Sequence, residues 1–139
     1  MIKNRKAIIV GIKSTVLSKK EKLFLKKYKP WGVILFSRNL KKFKQIQKLI
    51  IDIKSMFKDN KYPILIDQEG GTINRLNKLI DTSVLTAEFY GNLYKSDKKK
   101  FLNYYRVYIN QISYLLNELG ININTVPVLD VRRSKSSNI

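Results

Sequence analysis

Four short apolar runs separated by helix-patterned segments constrain this chain more than any single residue does. The runs are Ala7–Ile12, Gly32–Phe36, Tyr62–Ile66 and Ile121–Leu129, rich in Ile, Val and Leu. Between the first two, Ser18-Lys-Lys-Glu21 is a capping box, in which the Ser and Glu side chains each satisfy a free backbone N–H at a helix start. The helix it opens runs to about Tyr28 and stops before Pro30. From Lys41 to Phe57, apolar residues recur at Phe43, Ile46, Leu49, Ile50, Ile53 and Phe57, the spacing of an amphipathic helix. A short helix is expected around Leu85–Leu93. A long one is expected over Lys98–Leu119, with Phe101, Tyr105, Ile109, Ile112, Leu116 and Leu119 on one face and Gly120 ending it in the left-handed conformation. Pro127 implies an irregular or terminal position in the last run. Strand and helix in alternation are the signature of parallel β/α units with right-handed crossovers. The first run reads as a strand covered on both faces. Periodicity alone does not separate a barrel from an open doubly wound sheet.

The chain has 139 residues, enough for one ordinary domain with a core. It contains neither Cys nor His, which removes disulfides, thiolate metal sites and imidazole general bases. The formal net charge of +18 would ordinarily point to nucleic acid or an anionic membrane. Most of that charge is Lys on the polar faces of the expected helices, as at Lys41, Lys44 and Lys48. A solvated basic surface is therefore the reading, with no nucleic-acid partner. Tyr104, Tyr105 and Tyr108 lie close to Lys98–Lys100 but suit a helix packing stripe. The longest apolar runs fall well short of the ~20 residues a membrane helix needs. Lys13 interrupts the N-terminal run before it resembles a signal peptide. No membrane partner is expected, and a cytoplasmic location follows as the default.

Residues 64–76, Ile-Leu-Ile-Asp-Gln-Glu-Gly-Gly-Thr-Ile-Asn-Arg-Leu, hold the densest chemistry. Ligands of parallel β/α folds meet the C-terminal ends of the strands, and Asp67 stands at such an end. Its carboxylate can accept from two hydroxyls, and the Arg75 guanidinium supplies donors in a fixed fork. Together they suit a polyhydroxylated or amide-bearing ligand. Gly70 and Gly71 permit a tight turn close to it. Glu69 is expected to support the loop, by pairing with an arginine or by accepting backbone N–H groups. Asp67 and Glu69 do not suit the paired carboxylates of a retaining glycosidase, which flank the bond at about 5–5.5 Å, because residues two apart lie on one side of the site. Two or three carboxylates are too few for a hard cation, so no metal is expected. Arg38 and Asn39 face the same rim, where a structural hydrogen bond is the expectation. Asp130 either caps the following loop or supports the site.

Two further segments carry a resemblance together with this one: Lys29-Pro-Trp-Gly-Val-Ile-Leu-Phe-Ser-Arg-Asn39 and Gly120-Ile-Asn-Ile-Asn-Thr-Val-Pro-Val-Leu-Asp130. In order, the three resemble the N-terminal part of bacterial β-N-acetylhexosaminidases of glycoside hydrolase family 3, from about Ala7 to Val131. Thr72 departs from the family pattern, which usually has an arginine right after the glycine pair. The resemblance implies the N-terminal half of a TIM-type (β/α)8 barrel, since a whole barrel takes about 250 residues. It implies an enzyme that removes non-reducing β-linked N-acetylglucosamine with retention, as in peptidoglycan recycling, without a cofactor. A related β-glucosidase is the weaker alternative within that class. Asp67 and Arg75 would contact the saccharide or muropeptide. The family's nucleophile, a late Asp, and its acid/base, a His assisted by an Asp, would lie beyond Ile139, so no catalytic residue is assigned here and the isolated chain is expected to be inactive. Half a barrel leaves open strand edges and an uncovered inner layer. Instability, self-association or a need for the missing half is expected. The alternatives are a basic protein that binds nucleic acid or another polyanion, and an inactive remnant of the hydrolase.

Overall fold

A computed structural model of the chain describes residues 4–129. Its elements run β1 (Lys6–Gly11), α1 (Lys19–Tyr28), β2 (Pro30–Leu35), α2 (Phe43–Phe57), β3 (Ile64–Ile66), α3 (Ala87–Ser96), α4 (Lys98–Leu119) and β4 (Ile123–Asn124), with a 3-10 turn at Ser37–Asn39. The strands form one parallel sheet in the order β1-β2-β3-β4.

Local chemistry sets the helix ends. Ser18 and Glu21 close the expected capping box at the start of α1, Thr86 caps α3 and Asp97 caps α4. Gly120 ends α4 at φ 87°, and Lys54 Nζ donates to the Gly120 carbonyl at 2.8 Å.

The core lies between sheet and helices. Val33 and Leu35 of β2, with Ile64 and Ile66 of β3, pack with Leu25, Ile46, Leu49, Ile50, Ile53, Ile112, Leu116 and Leu119. Their two-residue spacing sends one side of each strand to the helices. Gly32 leaves room for a neighbour, because a Cβ there would lie 2.8 Å from Leu65 Cδ1.

At the sheet's start, Phe57 and Tyr62 stack at 4.1 Å with the Arg5 guanidinium over both rings. Arg5 also pairs with Asp59 at 2.6 Å. Tyr62, fully buried, donates its hydroxyl to the Pro30 carbonyl. Burial pushes that hydroxyl's pKa up to about 12, against a lowering influence from Arg5.

Two expectations are corrected. β1 is not covered on both faces: Ile8 and Ile9, adjacent residues whose side chains point to opposite faces, are 43% and 47% exposed, and among the described residues β1 has only β2 as a sheet neighbour. The tyrosines of α4 also divide. Tyr105 and Tyr108 pack against Tyr90 of α3, but Tyr104 is 52% exposed with Lys100 over its ring. The fourth strand is shorter than the apolar run, and Pro127 lies beyond it. Among the described residues, no helix is long and apolar enough to cross a membrane.

Candidate functional site

Parallel pairing brings the ends of β2, β3 and β4 to one rim. Asp67 follows β3 directly, and Arg75 returns to it eight residues later, Nη2 donating to Asp67 Oδ2 at 3.0 Å. Each side chain keeps 24% of its surface in solvent, so the pair is open to a ligand. Thr125, just past β4, lies with its hydroxyl 3.3 Å from Asp67 Oδ1, while its backbone N–H donates to the Ile66 carbonyl. Carboxylate, guanidinium and hydroxyl thus converge on one ledge.

The loop that returns Arg75 is built on Gln68, which sequence reasoning did not single out. Gln68 is buried, and its Nε2 donates to Asn74 Oδ1 and Thr82 Oγ1, both at 3.1 Å. Its Oε1 accepts the Leu76 N–H at 3.0 Å, and its backbone pairs with the Asn124 amide in both directions. Buried polar groups need partners, and here the partners are the two ends of the loop. Gly70 and Gly71 make the expected turn at φ 92° and 61°. At Gly70 a Cβ would lie 2.5 Å from the Leu85 carbonyl oxygen. The Tyr108 hydroxyl reaches the Glu69 carbonyl at 3.4 Å. Burial, with Tyr105 nearby, raises its pKa, while a hydrogen bond with Thr82 acts the other way.

On the β2 side, Phe36 lies beneath two guanidinium groups, with Arg38 Cζ 4.7 Å and Arg75 Cζ 5.5 Å from the ring centroid. Arg38 and Asn39 make the expected structural hydrogen bonds. Arg38 Nε donates to the Ile12 carbonyl, and Asn39 Nδ2 to the carbonyls of Ile12 and Ser14. Asn39 Oδ1 accepts the Phe36 N–H at 2.9 Å. Asp130 lies outside the described residues.

A cleft of about 1310 Å³ lies on the other side of the glycine loop, and its lining lacks both Asp67 and Arg75. Its walls include Tyr90, Tyr105, Tyr108, Ile112 and Leu116, a surface suited to packing more than to recognition of hydroxyls. The ledge, with its convergent donors and acceptors, is the candidate site. Among the described residues, no three acidic side chains gather as a cation would require.

A polar ligand site at the C-terminal rim of parallel strands, beside a glycine turn, is the β/α-barrel arrangement. Residues 6–139 match the Glycosyl hydrolase family 3 N terminal domain, and the chain belongs to that family. A beta-hexosaminidase of Xanthomonas campestris is 26% identical over 126 residues, covering 91% of this chain and 38% of the relative. Beta-hexosaminidase A of Pseudoalteromonas piscicida is 31% identical over 119 residues, covering 83% of this chain and 19% of its own. The crystal structure of NagZ from Neisseria gonorrhoeae in complex with N-trifluoroacetyl-D-glucosamine superimposes with a TM-score of 0.72 at 26% identity, over 91% of this chain and 38% of that one. The four strands accordingly have the fold of the N-terminal portion of a TIM-type barrel. The chain spans 38% of the length of the Xanthomonas relative.

Proposed function

We propose that the chain supplies the sugar-binding half-site of a glycosidase acting on non-reducing, β-linked N-acetylglucosamine. The observation that carries the reading is the Asp67–Arg75–Thr125 ledge. Asp67 accepts hydrogen bonds from ring hydroxyls, and Arg75 donates to the sugar while remaining tied to Asp67. The saccharide is part of a peptidoglycan fragment, processed in the cytoplasm with retention through a covalent glycosyl-enzyme. Among the described residues none is assigned as nucleophile or acid/base, and the role proposed for them is binding. The relatives named beta-hexosaminidase support the substrate class.

A titration of the 15N-labelled chain with N-acetylglucosamine tests this. Amide shifts are expected at Asp67, Gln68, Arg75 and Thr125, and their loss in Asp67→Ala. An equal response to glucose, or none to either sugar, would sink the reading. The net charge of +18 favours a second one, polyanion binding; it requires tight oligonucleotide binding that falls steeply with salt.

A further inference from the structure

We propose that Phe36 is a positioning residue for Arg75, setting the plane in which its guanidinium meets a ligand. The inference deepens the sugar-site reading and rests on it for its binding arm. Among the described residues, buried Arg75 Nε finds no hydrogen-bond partner, whereas Nη2 is tied to Asp67. Among the described residues that single hydrogen bond at one nitrogen does not by itself fix the plane of the group. What it lies against therefore sets its plane, and that is the Phe36 ring at 5.5 Å. A guanidinium over an aromatic face is attracted by the ring quadrupole, the more so when partly desolvated.

The ring in turn is held from three directions. Asn39 Oδ1 accepts the Phe36 N–H and so fixes the backbone that carries it. Arg38 lies over the same ring at 4.7 Å and is anchored through Nε to the Ile12 carbonyl beyond β1. Gly11 leaves the ring its place, because a Cβ there would sit 3.2 Å from Phe36 Cε2 and from Arg38 Nη2. A path of contacts thus runs from the end of β1, through Arg38 and Phe36, to the arginine on the loop after β3. A ledge open to water needs its donors oriented before the ligand arrives, since misdirected donors lose affinity to reorganisation.

The test uses the whole 139-residue chain and three variants. Phe36→Leu keeps apolar bulk without the ring, Phe36→Tyr keeps the ring, and Arg38→Gln alters an exposed residue and serves if Phe36→Leu does not fold. The first readout is the Arg75 Nε–H resonance, which a ring current displaces. It is expected to move in Phe36→Leu and to stay in Phe36→Tyr. The second is N-acetylglucosamine affinity, expected to weaken roughly threefold to tenfold in Phe36→Leu, less in Arg38→Gln, and to be restored in Phe36→Tyr. An unmoved resonance in Phe36→Leu, or equal affinity in wild type, Phe36→Leu and Arg38→Gln, overturns the proposal. A wild-type chain that binds no sugar overturns only the sugar reading, and the resonance then decides the role of Phe36 by itself.

Discussion

Replacing Gln68 by Leu should unfasten the loop that carries Arg75. The two side chains are similar in size, so the change removes hydrogen bonds while leaving little cavity. The Leu76 N–H loses the Gln68 Oε1 acceptor at a residue with no exposure, and Asn74 Oδ1 loses the donor at 3.1 Å. Thr82 also loses the Gln68 donor, but its hydroxyl retains Tyr108. Each buried group left unsatisfied costs about 1–3 kcal/mol. Two such groups, offset in part by the apolar gain of Leu, give a loss of about 3 kcal/mol. For a chain of this length that lowers Tm by roughly 10 °C. Urea denaturation followed by circular dichroism reads the loss as a lower midpoint with an unchanged slope. Hydrogen exchange at the Leu76 amide should accelerate in parallel. A loss below about 0.5 kcal/mol would refute the reasoning, because the Gln68 bonds would then be exchanged for water at no cost.

Two glycines in different surroundings should respond with opposite signs. Gly70→Ala combines a φ of 92° with a 2.5 Å approach to the Leu85 carbonyl and should cost more than about 2 kcal/mol. Gly91→Ala in α3 meets nothing within 4 Å and should stabilise by about 0.5–1 kcal/mol, both read by urea denaturation. Alkaline pH should also unfold the protein through its buried tyrosines. Burial pushes Tyr62 and Tyr90 from 10.0 up to about 12. The folded state holds their protons after the unfolded state has released them, so their contribution is full below about pH 10 and is lost as pH rises toward 12. Tyr62→Phe should flatten that slope in a pH series of melts.

The helices were legible because their signals are local. The capping box at Ser18 and Glu21, the stripe from Phe43 to Phe57 and the glycine after Leu119 each act within a turn or two. Their ends agree with expectation to within a few residues, and α3 differs most, starting at Ala87 after its Thr86 cap. The partly exposed β1 was not legible in its own apolar run, which records which residues favour burial and not which neighbours stand beside them; only the half-barrel resemblance, with its open strand edges, implied it. Ile8 and Ile9 sit on an edge that the helix–strand alternation does not reveal. At the site, Asp67 was readable as a candidate from the rule for strand ends and Arg75 from its donors a few residues on and from the resemblance, and the structure brings the two together. Gln68 was hidden by its polarity. A glutamine between two carboxylates looks solvated until its partners at Asn74 and Thr82, six and fourteen residues away, close around it. Phe36 was hidden in a similar way, since its two arginines come from different loops.

The strand order has a consequence for synthesis. Because β1, β2, β3 and β4 pair in the order in which they occur, each of β2, β3 and β4 leaves the ribosome after the strand it pairs with. No segment must be inserted between strands already paired, although the last step, β4 onto β3, must close over α3 and α4 and is the longest of the three. The sheet can lengthen one β/α unit at a time as the chain is translated. At each stage the most recent strand is the growing edge, ready for the next β/α unit.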